Sequence, residues 1–301
     1  MLQTVSHKES HPLLGASDVV LDIETTGLRR QTDSVFLIGI QDHEALTQWL
    51  APTPQDEGAL LEAAFSHLRD KTVITYNGDL FDLPFLKERA AHWQLPFPEC
   101  LSEDWYAFFR KMRLFYRFAN LKLKTLEQCA GLTREDVLSG AEVAKLAQSL
   151  EDPAACDAVL KHNADDVRGT TALLPFFQAQ KNRLRPPAPF DALLESFVVK
   201  GDRATAVYYS KKQAQPVWDL ENSFGKLSWE EHRLTMTLPV HRIPDPGNPD
   251  AFRICAVHPA YAPDGANPPL PKPFITLSSP EGAFAENLHA MLLGLSAPLR
   301  Q

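Results

Sequence analysis

The sequence predicts an α/β fold in which helices pack on a mixed β-sheet, followed by a smaller, proline-rich and partly β-structured C-terminal region. Apolar runs of strand length dominate up to residue 50, and strand and helix patterns then follow one another up to residue 177. This order is typical of a mixed sheet flanked by helices. Of the 24 prolines, 16 lie at or after Pro186, which indicates that the last third of the chain is built differently.

Four strands are predicted in the first part of the chain. The first is the run Val19-Val20-Leu21-Asp22-Ile23-Glu24, which ends at the turn residues Thr25-Thr26-Gly27. The others cover residues 34–41, 45–50 and 72–76, and the last of them ends at the turn signal Asn77-Gly78. We interpret residues 18–50 as an antiparallel meander.

Helices are predicted where apolar residues recur at helical spacing. These segments are 55–68, 80–93, 103–117, 123–130, 141–149 and 154–177. Pro84 is compatible with the second of them, because proline is tolerated in the first turn of a helix.

The C-terminal region begins after a predicted linker at 181–190, so we expect domains at 1–183 and 184–301. Residues 194–199 and 205–210, joined by Lys200-Gly201-Asp202, predict a β-hairpin. A strand is predicted at 233–240, a loop at 244–273 and a closing helix at 281–295.

Charge and composition limit the possible functions. The net charge of −8 argues against a protein that coats nucleic acid through bulk charge, but a nuclease with a local basic track is compatible with it. The four cysteines are far apart, which disfavours a cysteine zinc site and favours a reducing compartment. The chain has no apolar run of membrane-spanning length and no signal-peptide core in its first ten residues. We therefore expect a cytoplasmic protein that has no membrane partner.

Asp22 and Glu24 form the first candidate site. Strand side chains alternate, so both carboxylates point to one side and Ile23 to the other. Two neighbouring carboxylates repel each other and need a positive partner. Arg29 and Arg30 come only after the turn, which makes Mg²⁺ or Mn²⁺ a candidate partner. The alternative is a pair of solvated charges at the end of a strand.

Two further acidic signals lie on predicted helices. Asp82 falls in the first turn of its helix, where the helix dipole favours a carboxylate, and its apolar neighbours indicate a packed helix start. His162 and Asp166 are four residues apart and share a helix face, whereas Asp165 points towards solvent. The alternatives are a purely helix-stabilising role for Asp82 and a surface pair for His162 and Asp166.

These stretches, taken in order, resemble the three exonuclease motifs of the DEDD nucleases, a superfamily with the ribonuclease H-like fold. The matching segments are Asp22-x-Glu24-Thr-Thr-Gly-Leu, Asn77-Gly-x-x-Phe-Asp82-x-Pro-Phe-Leu and His162-Asn-x-x-Asp166-Val. Among the DEDD nucleases, the chain is similar to a bacterial group of predicted exonuclease or ribonuclease H-like domain proteins. Residues 121–127 and 140–142 are similar to the segment between the second and third motifs of that group. The resemblance covers about residues 16–180.

The resemblance implies a metal-dependent 3′–5′ exonuclease that acts on DNA or RNA by a two-metal-ion mechanism. Asp22, Glu24, Asp82 and Asp166 would hold two Mg²⁺ or Mn²⁺ ions, and His162 would orient or deprotonate the attacking water. In this superfamily a Tyr usually precedes the last Asp by four residues, or a His precedes it by five; here a His stands at the Tyr spacing. Thr25 and Asn77, within the motifs, are expected to contact nucleic acid.

A basic and aromatic track is predicted between residues 105 and 126. It contains six basic residues and no acidic one: Arg110, Lys111, Arg113, Arg117, Lys122 and Lys124. Five aromatic residues interleave with them: Phe108, Phe109, Phe115, Tyr116 and Phe118. Cations bind phosphates and aromatic faces stack on unpaired bases, so the track suits a single-stranded end. The alternative is an amphipathic helix with buried aromatics and a solvated basic face.

Two other functions stay open from the sequence. One is a catalytically silent nucleic-acid-binding or scaffold protein on the same fold. The other is a protein-interaction module centred on residues 190–301.

Overall fold

The computed structural model describes residues 1–133, 138–213, 218–258 and 274–297. The chain divides into two compact units. The N-terminal unit consists of Met1–Phe109 and Ala119–Phe177, and the C-terminal unit of Arg110–Phe118 and Gln178–Gln301. The assignment of residues 110–118 to the C-terminal unit was not foreseen from the sequence. The domain boundary predicted after residue 183 stays a prediction.

The N-terminal unit is built on a six-stranded mixed sheet, in the order β1-β4-β3-β2-β5-β6 within the described residues. Its strands are β1 (Gln3–Lys8), β2 (Asp18–Thr25), β3 (Val35–Gln41), β4 (Ala45–Leu50), β5 (Thr72–Thr75) and β6 (Leu101–Asp104). β2, β3 and β4 form the predicted antiparallel meander, and β5 and β6 continue the sheet in parallel from β2. The predicted mixed α/β sheet is confirmed.

Helices cover both faces of this sheet. They are α1 (Glu57–Leu68), α2 (Asp82–His92), α3 (Trp105–Met112), α4 (Leu123–Cys129), α5 (Gly140–Leu146), α6 (Pro153–Ala172) and α7 (Leu174–Arg183). Leu21 and Ile23 of β2 belong to the apolar core formed with α1 and α2. A second apolar cluster joins β3 to α5 and α6 through Phe36, Val143 and Val159. Because strand side chains alternate, Asp22 and Glu24 lie on the opposite face of β2 from that first core.

A buried charge network joins the C-terminal half of α2 to the first residue of α1 and to β3. The carboxylate of Glu57 accepts hydrogen bonds from the Arg89 guanidinium at 2.8 and 2.7 Å and from Trp93 Nε1 at 2.8 Å. It also accepts one from the backbone N–H of Val35 at 2.8 Å. Both charges are buried and fully paired, which such groups require. The network therefore holds the helix that begins at Asp82 in a defined position.

Several predicted elements were wrong in the N-terminal unit and at its end. Residues 101–104 form the edge strand β6, and helix α3 ends at Met112 rather than at residue 117. β6 is short and largely exposed, so it lacks the apolar alternation that marks a strand. The predicted helix 154–177 is two helices, α6 and α7, which divide just before Pro175, where proline suits the first turn of a new helix. The helix α7 extends to Arg183, into the predicted linker.

The C-terminal unit is rich in β-structure, as predicted. Its strands are β7 (Ala192–Lys200), β8 (Arg203–Ser210), β9 (Trp218–Asn222), β10 (Gly225–Glu230), β11 (Arg233–Pro239), β12 (His241–Asp245), β13 (Asn248–Val257), β14 (Phe274–Ser279) and β15 (Gly282–Ala283), and its last helix is α8 (Ala285–Ser296). Among the described residues they form a five-stranded sheet, β7-β8-β11-β10-β9, and a four-stranded sheet, β12-β13-β14-β15. The predicted hairpin of β7 and β8 is confirmed.

The loop predicted at 244–273 was wrong over its first part, because β12 and β13 occupy 241–257. Prolines at 244, 246 and 249 hid these strands from sequence analysis. Proline is tolerated at strand irregularities, and the β12–β13 register shifts between Pro244 and Asp245. The rest of that prediction, 259–273, lies outside the described residues. No helix in the described ranges is long and apolar enough to cross a membrane.

Candidate active site

One cavity of the N-terminal unit brings together the carboxylates that the sequence singled out. It has a volume of about 710 Å³, and Asp22, Glu24, Asp82, His162 and Asp166 all line it. Three separate elements deliver these side chains: β2, the first residue of α2 and the middle of α6. The structure therefore assembles all five predicted catalytic residues around one space.

Asp82 is tied directly to the strand that carries the first pair. Its side chain is 6% exposed, and its Oδ1 accepts a hydrogen bond from the backbone N–H of Ile23 at 3.2 Å. The turn that leads to it requires Gly78, because a Cβ there would lie 2.4 Å from Thr75 Oγ1. Asn77 adopts a positive φ of 72° in the same turn, a conformation that asparagine tolerates. Local turn chemistry thus sets where Asp82 enters the cavity.

The carboxylates repel one another strongly in this setting. Burial raises the pKa of Asp22 well above its usual range, and the charges of Glu24, Asp166 and Asp82 raise it further. Burial also raises the pKa of Asp82 to about 7, with contributions from Asp104 and Asp166. At neutral pH such a group of carboxylates is stabilised by protons or by cations. The interpretation of Asp22 and Glu24 as solvated surface charges was wrong.

His162 lies between two of these carboxylates. It is 5% exposed, and its Nε2 is 3.8 Å from Glu24 Oε1 and 3.6 Å from Asp166 Oδ2. The alternative of a surface pair was therefore wrong for His162. Asp165, one residue before Asp166, instead lies 4.0 Å from the guanidinium of Arg168.

Asn163 is a site residue that sequence reasoning missed. Its side-chain Nδ2 donates to Asp22 Oδ2 at 2.8 Å, and its Oδ1 accepts from Gln48 Nε2 at 2.9 Å. Gly39 of β3 makes room for it, because a Cβ there would lie 2.2 Å from Asn163 Oδ1. An isolated glycine inside a strand is the signal that could have indicated this close approach.

Asp104 is the second residue that was missed. It is the last residue of β6, and its Oδ1 accepts the backbone N–H groups of Asn77 and Tyr106, both at 2.9 Å. It thereby connects the turn before Asp82 to the start of α3. It was overlooked because β6 itself was not predicted.

The cavity wall also includes cationic and aromatic side chains. Lys122 and Lys124 line it, as do Tyr76 and Tyr106, whose rings meet edge to face at 5.8 Å. Asn77 lines it too, and its contact with nucleic acid stays a prediction. Thr25 is not among the described lining residues, and its hydroxyl donates to the carbonyl of Gly27 at 2.7 Å. Thr25 therefore closes the turn after β2.

The predicted basic and aromatic track is divided between the two units. Lys122 and Lys124 lie in the N-terminal unit, whereas Arg110, Lys111, Arg113 and Arg117 lie in the C-terminal unit. Lys111 forms an ion pair with Glu195 at 3.3 Å, and Arg117 donates to the carbonyl of Pro280. The alternative of buried aromatics is right for Phe109, which is fully buried in the core.

The donor set fits hard divalent cations, because carboxylate oxygens are the ligands that Mg²⁺ and Mn²⁺ prefer. In the described residues, however, no three His, Cys, Asp or Glu side chains are already arranged to hold an ion. A bound cation would relieve the repulsion that contributes to the raised pKa of Asp22 and of Asp82.

Comparison with known proteins agrees with the fold. The sequence model of the RNase H superfamily matches residues 19–176, a span that contains every residue of the carboxylate cavity discussed above. The chain is also 37% identical over 73 residues to the uncharacterized protein YprB of Bacillus subtilis (strain 168). That alignment covers 23% of this chain and 18% of YprB.

The raised pKa of Asp82 predicts how the stability of the metal-free protein depends on pH. In the unfolded chain this carboxyl ionises near pH 4, whereas in the folded protein it holds its proton up to about pH 7. The folded state therefore binds the extra proton between these values. The stabilisation that the protonated Asp82 carboxyl gives to the folded state is fully present below about pH 4 and is lost as the pH rises through about 7. In EDTA, its contribution to the free energy of unfolding should fall by about 2 kcal/mol between about pH 5.5 and 7.5.

Urea unfolding of the wild-type protein and of Asp82→Asn at both pH values measures this contribution as a difference. The variant lacks the titrating group, so the fall should be seen in the wild type relative to it. If the free energy of unfolding changes with pH by the same amount in the wild type and in Asp82→Asn, the raised pKa of Asp82 is contradicted.

Asn163→Ala should weaken divalent-cation binding about 10- to 100-fold, because Asp22 loses the amide that orients it. Calorimetric titration with Mn²⁺ measures the affinity. Asn182→Ala, which changes an exposed asparagine, is the matched control and should bind Mn²⁺ like the wild type. Equal affinity in all three proteins would show that Asn163 does not position Asp22.

Proposed function

The chain belongs to the RNase H superfamily, and on that premise we propose that it is a divalent-metal-dependent nuclease that hydrolyses phosphodiester bonds of DNA or RNA. We further propose that it removes nucleotides from single-stranded ends in the 3′–5′ direction. The order and spacing of the three DEDD-like motifs support this subtype.

The observation that carries the proposal is the convergence of four carboxylates on one cavity. They come from three separate segments, and burial together with the charges of the other three carboxylates raises the pKa of Asp22. A catalytically silent scaffold protein would gain nothing from four carboxylates in one cavity, because their repulsion lowers the stability of the fold at neutral pH. A cation-dependent hydrolase needs it, because cations offset the charge that builds up on a phosphodiester during cleavage.

Asp22, Glu24, Asp82 and Asp166 are the residues that would hold the metal ions. Bound Mg²⁺ or Mn²⁺ would supply Lewis acidity towards water and the phosphate oxygens. Asn163 fixes Asp22 in orientation, and the Ile23 N–H fixes Asp82. The protein therefore holds two of the four ligands by neutral hydrogen-bond donors that leave the net negative charge in place.

His162 is proposed to accept the proton of the attacking water at Nε2. A histidine side chain exchanges protons near neutral pH, which suits this role. The resulting imidazolium would lie between Glu24 and Asp166, whose Oε1 and Oδ2 are 3.8 and 3.6 Å from Nε2. These two carboxylates would stabilise the positive charge.

Lys122 and Lys124 are proposed to contact the phosphates of the substrate strand. They line the same cavity as the carboxylates, and cations next to a strand's phosphates contribute most of its binding energy. The Tyr76 and Tyr106 rings offer aromatic surface for an unpaired base. This combination favours a single-stranded end.

Asp22→Ala and Asp166→Asn should each abolish metal-dependent cleavage of a labelled oligonucleotide, because each removes a proposed metal ligand. Asp165→Asn is the matched control, since Asp165 is adjacent to Asp166 but pairs with Arg168. The control should retain the wild-type rate. Substrates labelled at the 3′ or the 5′ end distinguish the direction of cleavage.

Undiminished turnover of Asp22→Ala would contradict the proposed function. Activity lost equally in Asp165→Asn would indicate a general structural effect. Cleavage products that shorten from the 5′ end would overturn the 3′–5′ assignment alone.

His162→Ala should lower the cleavage rate by about two to four orders of magnitude, the usual effect of losing a general base. Mn²⁺ affinity, measured in parallel, should change little. A variant with the wild-type rate and pH profile would remove His162 from the mechanism.

A further inference from the structure

The C-terminal unit has a cavity of its own that contains a buried arginine with an unused donor. Arg253 of β13 is 8% exposed, and its Nη1 has no hydrogen-bond partner among the described residues. The cavity that it lines has a volume of about 680 Å³. A buried guanidinium donor without a partner is costly unless a ligand or water supplies an acceptor.

Asp245 holds this arginine in place from one side. Its Oδ2 accepts from Arg253 Nε at 2.6 Å, and its Oδ1 accepts from the Gly247 N–H at 2.8 Å. Hydrogen bonding to Arg253 lowers the pKa of Asp245, so the carboxylate stays charged. Asp245 therefore anchors the guanidinium through Nε, whereas Nη1 has no acceptor among the described residues.

A second arginine lines the same cavity. Arg117 is exposed, and its guanidinium donates to the carbonyl of Pro280. Two guanidinium groups next to one cavity suit a phosphate, which binds arginine through charge-assisted hydrogen bonds. Glu281 also lines the cavity, and its exposed carboxylate opposes an anion there, so its removal should favour anion binding.

An adjoining cavity of about 410 Å³ adds aromatic surface. It shares Arg117, Ser279, Glu281 and Phe284 with the first cavity and also contains Phe115 and Tyr116. Arg183 lies over the Tyr116 ring, 4.9 Å from its centroid. A cationic space next to an aromatic one matches the two chemical parts of a nucleotide, a phosphate and a flat base.

We propose that these two cavities bind single-stranded nucleic acid, with Arg253 and Arg117 holding a backbone phosphate and the aromatic cavity holding the neighbouring base. All the residues involved belong to the C-terminal unit. The choice of nucleic acid as the source of the phosphate rests on the proposed nuclease function. The site would give the protein a second contact with its substrate, in a different unit from the one that holds the carboxylates.

The test is the affinity of the full chain for a fluorescein-labelled oligo(dT), measured by anisotropy in EDTA so that cleavage does not interfere. Arg117→Ala and Arg253→Lys should each weaken binding about tenfold or more, as expected for loss of a charge-assisted hydrogen bond. Glu281→Gln should tighten binding, because it removes an opposing charge. Arg203→Ala, at an exposed arginine outside both cavities, should change the affinity by less than about twofold.

Equal affinities for the Arg117, Arg253 and Arg203 variants would overturn the proposal. If Arg253→Lys melts below the assay temperature, Arg117→Ala and Glu281→Gln decide the question, because both residues are exposed. An abasic oligonucleotide should bind more weakly than oligo(dT). Displacement of oligo(dT) by inorganic phosphate at an equal concentration of phosphate groups would show a free-anion site and overturn the nucleic-acid assignment.

This experiment separates the failure of the site from the failure of the nuclease proposal. Binding that depends on Arg117, in a protein that cleaves nothing, would contradict the nuclease proposal and support the site. Cleavage that depends on Asp22, in a protein whose arginine variants bind normally, would overturn the site alone.

Discussion

Repulsion among carboxylates in a buried cavity is the constraint on which the rest of the N-terminal unit depends. Burial removes the water that would screen these charges, so each carboxylate makes its neighbours harder to ionise. Burial itself is the largest cause of the raised pKa values of Asp22 and Asp82, and neighbouring carboxylates raise both values further. A fold that keeps such groups together must hold them with other interactions. Their charge is then available to attract cations.

The surrounding structure supplies that restraint through neutral contacts and through a distant ion pair. Asn163 and the Ile23 N–H bind the carboxylates without adding positive charge. Gly39 permits Asn163 to approach β3, and the paired charges of Glu57 and Arg89, which are not among the cavity's described lining residues, hold the helix α2. In the proposed function, the lysines at the cavity wall would bind an anionic substrate while the carboxylates would hold the metal ions. The lysines and the carboxylates can have these separate roles because their opposite charges lie at different positions of the cavity wall.

Much of this could be predicted from the sequence, and the exceptions have physical causes. Apolar β2 and β3 mark the central sheet, and the spacing of Asp22, Glu24, Asp82, His162 and Asp166 marks the site. The edge strands β1 and β6 were missed because they are short and mostly exposed, so neither shows an apolar pattern. Asn163 was missed because its hydrogen bond to Asp22 spans 141 residues, and the isolated Gly39 inside β3 indicates a close approach without naming the residue that makes it. The division of the basic track between two units depends on tertiary contacts that spacing alone does not encode.

Calorimetric titration of the full chain with Mn²⁺ near pH 7, in buffers of different ionisation enthalpy, measures whether the repelling carboxylates bind cations in exchange for protons. Cations that bind the repelling carboxylates should displace the protons held by Asp22 and Asp82, because metal ligands must be deprotonated. The wild-type protein should bind Mn²⁺ saturably and release protons, and the Asp22→Asn, Asp82→Asn double variant should do neither. If the wild type binds Mn²⁺ no more tightly than the double variant, or binds it without releasing protons, the carboxylates are not the cation site.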